Sequence, residues 1–172
     1  LIINRDGDRF EDPSEQAQTL QIYIDLVLGS IEGVEERVIQ HINSNGKTEL
    51  VFRKEEFPYP AETAVQIAIK IKEALESHPQ SFRTTIGIGS GFAWNGTVGN
   101  SKRSEFTFIG APIESAHYLA SQKSTENTIV DIWIDQETSR RLDPDQFALS
   151  ETYEIQSIER VPITAFTVEK GP

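Results

Sequence analysis

The chain has 172 residues, enough for one domain whose core needs no covalent staple. Apolar residues make up 37% and charged residues 25%, which excludes wholesale disorder; the longest apolar run, Ile22 to Leu28, is broken by Asp25 and falls far short of the ~20 residues that span a bilayer. With 16 basic against 27 acidic residues the net charge is −11, a surface that repels a nucleic-acid backbone, and without cysteine there is no disulfide framework and no thiolate nucleophile or metal site.

Leu1-Ile2-Ile3 reads as the end of a strand. Asp12-Pro13-Ser14-Glu15 combines a capping carboxylate, a proline suited to the first helical position and an acid that completes a capping box. Leu20, Tyr23, Ile24, Val27, Leu28 and Ile31 then recur at helical spacing, with Gly29 and Gly33 as places to stop. Arg37 to Ser44 and Lys47 to Arg53 flank Asn45-Gly46, a dipeptide that tolerates the positive φ angles of a tight hairpin. Pro60 opens a second helix with the face Ala61, Ala64, Val65, Ala68, Ile71 and Leu75, ending before Pro79.

Phe82 to Phe92 reads as a strand with Ile86 and Ile88 on one face and Gly87, Gly89 and Gly91 on the other. Glycine in a strand marks a bulge or a close approach of another backbone or a ligand. Asn95-Gly96 is expected to turn the chain, Glu105 to Ile109 to form a strand, and Gly110-Ala111-Pro112 to start a third helix running to about Gln122. Thr128 to Ile134 is strand-like, Asp135 caps a short helix through Leu142, and Tyr153 to Ile158 with Ile163 to Val168 form a closing hairpin. No repeat or low-complexity linker divides this order, so residues 1–172 read as a single α+β domain, with helices packed on a mainly antiparallel sheet. Methionine is absent even at position 1, and no signal peptide is visible, so the chain reads as a fragment of something longer, and the lack of cysteine suits a reducing, cytoplasmic setting.

The information is concentrated in Gly87-Ile88-Gly89-Ser90-Gly91-Phe92-Ala93-Trp94-Asn95-Gly96-Thr97-Val98-Gly99, followed by Arg103-Ser104-Glu105-Phe106-Thr107-Phe108-Ile109-Gly110 and then a helix. It is neither a P-loop, lacking Gly-Lys-Ser/Thr, nor a dinucleotide fingerprint, lacking a strand–helix turn. It resembles the class III adenylate/guanylate cyclase catalytic domain, whose signature runs Gly-Ile-x-x-Gly-x-x-x-x-Gly-x-x-Gly, then Arg-x-x-Tyr-Thr-x-x-Gly. Gly87 through Gly99, Arg103, Phe106 in place of Tyr, Thr107 and Gly110 fall on that signature without a gap. The resemblance implies a ferredoxin-like core of the cyclase type.

It also implies a chemistry: attack on an α-phosphate by the substrate's own 3′-oxygen, assisted by two divalent cations, Mg²⁺ or Mn²⁺, held by two aspartates. The first aspartate position falls on or near Arg5, with Asp6 and Asp8 beside it; a guanidinium there opposes a cation, and only Asp6 or Asp8 could serve as a metal ligand. The second lies at the hairpin tip, Asn43-Ser44-Asn45-Gly46-Lys47, which has no carboxylate. The family's transition-state asparagine and arginine, on the helix after Gly110, fall on Glu114 and Tyr118, and a carboxylate facing a triphosphate is repelled. The base-reading lysine position holds Gln40 or His41, and only Thr107 keeps a residue type the family uses for the purine edge.

Plainer roles stand beside these. Thr107 suits any strand, and Glu114 and Tyr118 suit a helix surface or an interface. His41, His78 and His117 show no ligand spacing. Arg140-Arg141 suits a solvated helix end, and Ser90 has no nucleophile-elbow pattern. The expectation is a degenerate cyclase-homology domain without turnover and without a cofactor, acting in signal transduction. It would pair with itself or a related domain, next to fused or neighbouring sensor or effector domains, with no nucleic acid and no membrane insertion. The alternatives are an active ATP or GTP cyclase using divalent metal, with Asp6 or Asp8 as ligand, and a purine nucleotide-binding module without catalysis, with Thr107 near the base.

Overall fold

Two-residue alternation along short strands decides which side of the sheet each helix takes. In β1 (Ile2–Arg5), Ile3 joins the large core while Ile2 packs with Ala116 and Ala120 on the other side. In β4 (Thr84–Ile88), Ile86 and Ile88 join the large core and Gly87 takes the opposite face, as the sequence pattern predicts. The structure, a computed structural model, describes residues 1–5, 12–43, 47–122, 128–156 and 162–171.

Asp12 caps α1 (Pro13–Gly29), accepting hydrogen bonds from Ser14 N and Ser14 Oγ at 2.8 Å, with Pro13 in the first turn where its missing N–H costs nothing. The buried face of α1 is Thr19, Tyr23 and Val27, with Leu20, Ile24 and Leu28 partly buried against the same core. A 3₁₀ turn (Glu35–Arg37) leads into β2 (Ile39–Ile42) and β3 (Thr48–Val51), an antiparallel pair. The predicted Asn45-Gly46 turn between them lies outside the described residues. Helix α2 (Pro60–Ser77) buries all six predicted positions and Ile67 besides.

The main sheet has the order β2-β3-β1-β4-β7-β10-β8, with β9 also on β10. These last strands are β7 (Val130–Asp135), β8 (Phe147–Leu149), β9 (Tyr153–Gln156) and β10 (Pro162–Lys170). Only β4 and β7 run parallel among the described pairs, and the right place for their crossover is taken by α3 (Ala111–Ala120). Helices α1 and α2 cover one face with the Tyr23, Leu50, Val65, Ile71 and Phe82 core; α3 covers the other, over Ile2, Trp133 and Ala165. The closing antiparallel hairpin is present, and β8 adds an edge strand the sequence reading did not contain.

Three sequence expectations are corrected. The strand predicted over Phe82 to Phe92 stops at Ile88. Asn95-Gly96 is no turn but the interior of β5 (Trp94–Gly99), which pairs with β6 (Ser104–Ile109) in a separate two-stranded ribbon. The chain reverses instead at Asn100, whose side-chain oxygen accepts from Lys102 N and Arg103 N at 2.9 and 3.1 Å, an Asx-type turn. Helix α4 is also shorter than expected, Gln136–Ser139, and continues only as turns.

Candidate functional site

The β5–β6 ribbon stands off the main sheet as an arm. Opposed residues share a face, so Trp94, Gly96, Val98, Glu105, Thr107 and Ile109 lie on one side and Asn95, Thr97, Phe106 and Phe108 on the other. Trp94, Val98, Phe106 and Ile109 are each about half exposed, and Phe92, just before the arm, is 95% exposed. Behind the arm, between it, α3 and the chain following β3, is a cleft of about 470 Å³; Ile2, Leu50, Phe52, Phe108 and Ile113 line it, with Arg53 and Glu49 among its polar groups.

Helix α3 is pressed against the sheet because Gly87 and Gly89 have no side chains. A Cβ on Gly87 would strike Ala116 O, and one on Gly89 would strike Pro112 O. Ala116, Leu119 and Ala120 therefore face the strands. Residues two places from Ala116 in either direction lie about 200° round the helix, on its outer side. These are Glu114, exposed, and Tyr118, half-buried, and neither lines the cleft. At the end of β7, Asp135 caps α4 through Oδ1, accepting from Thr138 N at 2.7 Å, while Oδ2 accepts from Ser90 N at 3.4 Å; Thr138 Oγ1 donates to Ser90 Oγ at 2.8 Å. Ser90 thus anchors the glycine-rich loop to α4.

No protein-family model and no curated protein sequence matches the chain. Solved structures do. The guanylyl cyclase Cya2 superposes with a TM-score of 0.75 at 18% identity, over 97% of this chain and 89% of that one. The adenylyl cyclase CyaB from P. aeruginosa gives 0.72 at 14% identity, over 99% and 92%. The dimeric guanylyl cyclase domain of the RhoGC fusion protein from the aquatic fungus Blastocladiella emersonii gives 0.74 at 16%, over 98% and 93%. The chain has the class III nucleotide-cyclase fold.

On the cyclase fold, Glu114 and Tyr118 share the outer face of α3, so the structure brings this predicted pair together. Of Gln40 and His41, the register selects His41: Gln40 is opposite Leu50, a residue of the large core, whereas His41 is opposite Glu49, which pairs in turn with Ile2 on the α3 side. His41 Nε2 is 3.9 Å from Glu105 Oε1 on the arm, two residues from Thr107. Thr107 is half-buried on the arm face that carries Trp94.

Arg5 departs from expectation. Strand alternation sends its side chain to the α1–α2 side with Ile3, where the guanidinium lies 5.8 Å from the ring centroids of both Tyr23 and Phe82. It is therefore no obstacle to a cation on the α3 side. Burial pushes the Tyr23 phenol far up, with the Thr84 hydroxyl and the Arg5 charge acting against it. Asp6, Asp8 and residues 44–46 lie outside the described residues. Among the described residues no three His, Asp or Glu side chains converge as metal ligands, His78 included. Arg140 and Arg141 both pair with Glu137, at 2.9 and 3.0 Å, on an exposed helix end as expected.

Sequence reasoning missed the arm's geometry. A Cβ on Gly96 would strike Cζ2 and Cη2 of Trp94, so the indole lies over the glycine two residues along the same strand face. A Trp-x-Gly spacing inside a strand is the signal, and reading Asn95-Gly96 as a turn concealed it.

Proposed function

We propose that this domain is a dimerising cyclase-homology module that passes a conformational signal within a larger cytoplasmic receptor or regulator and does not cyclise nucleoside triphosphates. The observation that carries the reading is the outer face of α3, where the resemblance calls for an amide and a guanidinium and this chain presents the exposed Glu114 carboxylate and the uncharged Tyr118. A carboxylate there repels the charge that builds on phosphate oxygens and supplies none of the stabilisation an arginine gives.

The donor set does not suit two divalent cations either. The hairpin segment from Asn43 to Lys47 has no carboxylate. Its ends are tied together, Lys47 N donating to Asn43 Oδ1 at 3.0 Å, and Lys47 brings a positive charge where a cation ligand is needed. No step through a metal is assigned. Dimer formation is supported by exposed apolar residues that a single chain leaves uncovered, Phe92 just before the arm and Val98 and Phe106 on its two faces, and by the dimeric guanylyl cyclase domain among the structural neighbours. Among the described residues no helix is long and apolar enough to cross a membrane.

The deciding experiment incubates the domain with ATP or GTP and Mn²⁺ and measures cyclic nucleotide. Background formation is expected; sustained turnover overturns the reading and moves attention to Asp6 and Asp8, whose replacement by alanine should then abolish it. A second reading, purine binding without turnover, is favoured by one observation: Thr107 shares an open arm face with an exposed indole, and His41 reaches the same face. Calorimetry with purine nucleotides tests it, and the absence of any heat or stabilisation removes it.

A further inference from the structure

We propose that the cleft behind the arm binds a small apolar monocarboxylate, its body seated between the arm and α3 and its carboxylate held by Arg53 and Lys54; the inference goes beyond the signalling and purine readings and depends on neither.

The cleft is separate from the positions considered above. Asn95 and Phe108, which line it, are on the opposite arm face from Trp94 and Thr107, and neither those two nor His41 lines it. Leu1 and Ile2, at the start of β1, reach it, whereas the first aspartate position that the resemblance implies is at the other end of that strand, near Arg5. Buried Ile2, Leu50 and Ile88 and half-buried Phe52, Phe108 and Ile113 give it apolar walls. A concavity of about 470 Å³ with apolar walls and a few polar groups has the form of a small-molecule site.

Charge selects the head group. Arg53, Lys54 and Arg141 line the cleft against Glu49 and Glu55, a net positive lining in a chain whose total is −11. A monoanion cancels that excess, and a dianion such as a phosphate monoester overshoots it. Arg141 is already held by Glu137 at 3.0 Å. Arg53 reaches Glu56 through Nη2 at 3.1 Å, but its Nε is buried and donates to nothing. Lys54 is exposed and has no ion pair among the described residues. A guanidinium with an unused N–H and a neighbouring ammonium suit one carboxylate. Pro60 and Ala61, the first residues of α2, line the same cleft and bring the positive end of a helix without a side-chain cap. Asn95 and Phe108 belong to the arm, and Arg53, Lys54 and Ala61 to the main body, so a ligand here contacts both.

The test is calorimetry on the whole chain. Octanoate and 2-naphthoate are the carboxylate probes, one aliphatic and one aromatic, with 1-octanol and octyl phosphate for comparison. The expected result is one saturable site, with the better carboxylate bound roughly tenfold more tightly than 1-octanol, the scale of a charge-assisted hydrogen bond. Which carboxylate binds better tells an aliphatic ligand from an aromatic one. Arg53→Gln and Lys54→Gln should each weaken the carboxylate severalfold and leave 1-octanol unchanged. Lys54 is exposed, so its variant keeps the fold even if losing the Arg53–Glu56 pair disturbs the other. No saturable binding, equal affinity for octanoate and 1-octanol, or indifference to both substitutions overturns the site. Octyl phosphate bound tenfold more tightly than either carboxylate overturns the choice of head group. Displacement of the carboxylate by ATP or GTP overturns the inference as well, because the cleft then belongs to a nucleotide site.

Discussion

The carbonyl oxygen of Ala116 occupies the place where Gly87 would carry a Cβ. Helix α3 and strand β4 touch backbone to backbone there, and Leu119 Cβ and Ala120 N close the remaining space. Gly87→Ala is therefore expected to push α3 off the sheet and cost about 1–3 kcal/mol or more, the range of overpacking in a tight core. Gly29→Ala is the control. Gly29 has open space around it and ends α1 without positive φ, so alanine should stabilise by up to about 1 kcal/mol. Urea unfolding of the two variants checks the pair, and equal effects would contradict the close approach.

The Asp135 carboxylate gives a second expectation, with a definite sign. Burial raises its pKa above the ordinary carboxyl value, while hydrogen bonds from Thr138 and Ser90 oppose the rise. The folded state then holds a proton that the unfolded state has released, so stability falls as pH rises from the ordinary carboxyl range to Asp135's own higher value, and is level beyond. Asp135→Asn keeps a capping side chain and should remove that slope. Asp135→Ala should lose the cap and the tie to Ser90, costing about 0.5–2 kcal/mol. Unfolding followed from pH 3 to pH 7 distinguishes them.

How much was legible in advance depended on the kind of signal. The helices were readable because their cause is local: Asp12 and Asp135 cap, Pro13 and Pro60 open, and the Ala64, Val65, Ala68 and Ile71 face repeats at 3.6 residues. The glycine face of β4 was readable as a close approach, though not what approached. The fold followed from the signature between Gly87 and Gly110, in which Gly87 and Gly89 are sites where α3 excludes a side chain and Gly96 and Gly99 sites where the arm does. The arm was misread because Asn95-Gly96 has turn chemistry, and only the Trp94 ring explains why a glycine sits in mid-strand. Sheet register was also hidden. Choosing His41 over Gln40, or turning Arg5 onto Tyr23 and Phe82, depends on which strands pair, and pairing is a long-range fact.

If the arm makes a dimer, its exposed apolar residues carry the association. Phe92, Val98 and Phe106 have little to lose in the monomer, being 95%, 49% and 54% exposed. Replacing all three by serine should leave the far-ultraviolet spectrum and the unfolding midpoint near wild type, yet weaken self-association by an order of magnitude or more. Sedimentation velocity across a concentration series reads this directly. An unchanged association constant would place the interface elsewhere.

His117 is held below the ordinary imidazole value, first by burial and then by Lys47, with Glu49 pulling the other way. The cause is positional: His117 is one turn beyond Ile113 on the side of α3 that faces the hairpin strands. Because the folded state resists protonation that the unfolded state accepts, stability rises with pH from the folded value up to about 6.5, where the free imidazole titrates, and falls when the medium is acidified through that window. Lys47→Ala should move the titration of His117 upward and Glu49→Gln should move it downward, each read from the ring proton shifts by NMR. His117→Gln should flatten the acid side of the stability profile near pH 6. Shifts in the reverse directions would mean that the hairpin and α3 do not meet as described. A shift of the correct sign in both variants would tie the β3 strand, α3 and the outer face carrying Glu114 and Tyr118 into one rigid unit.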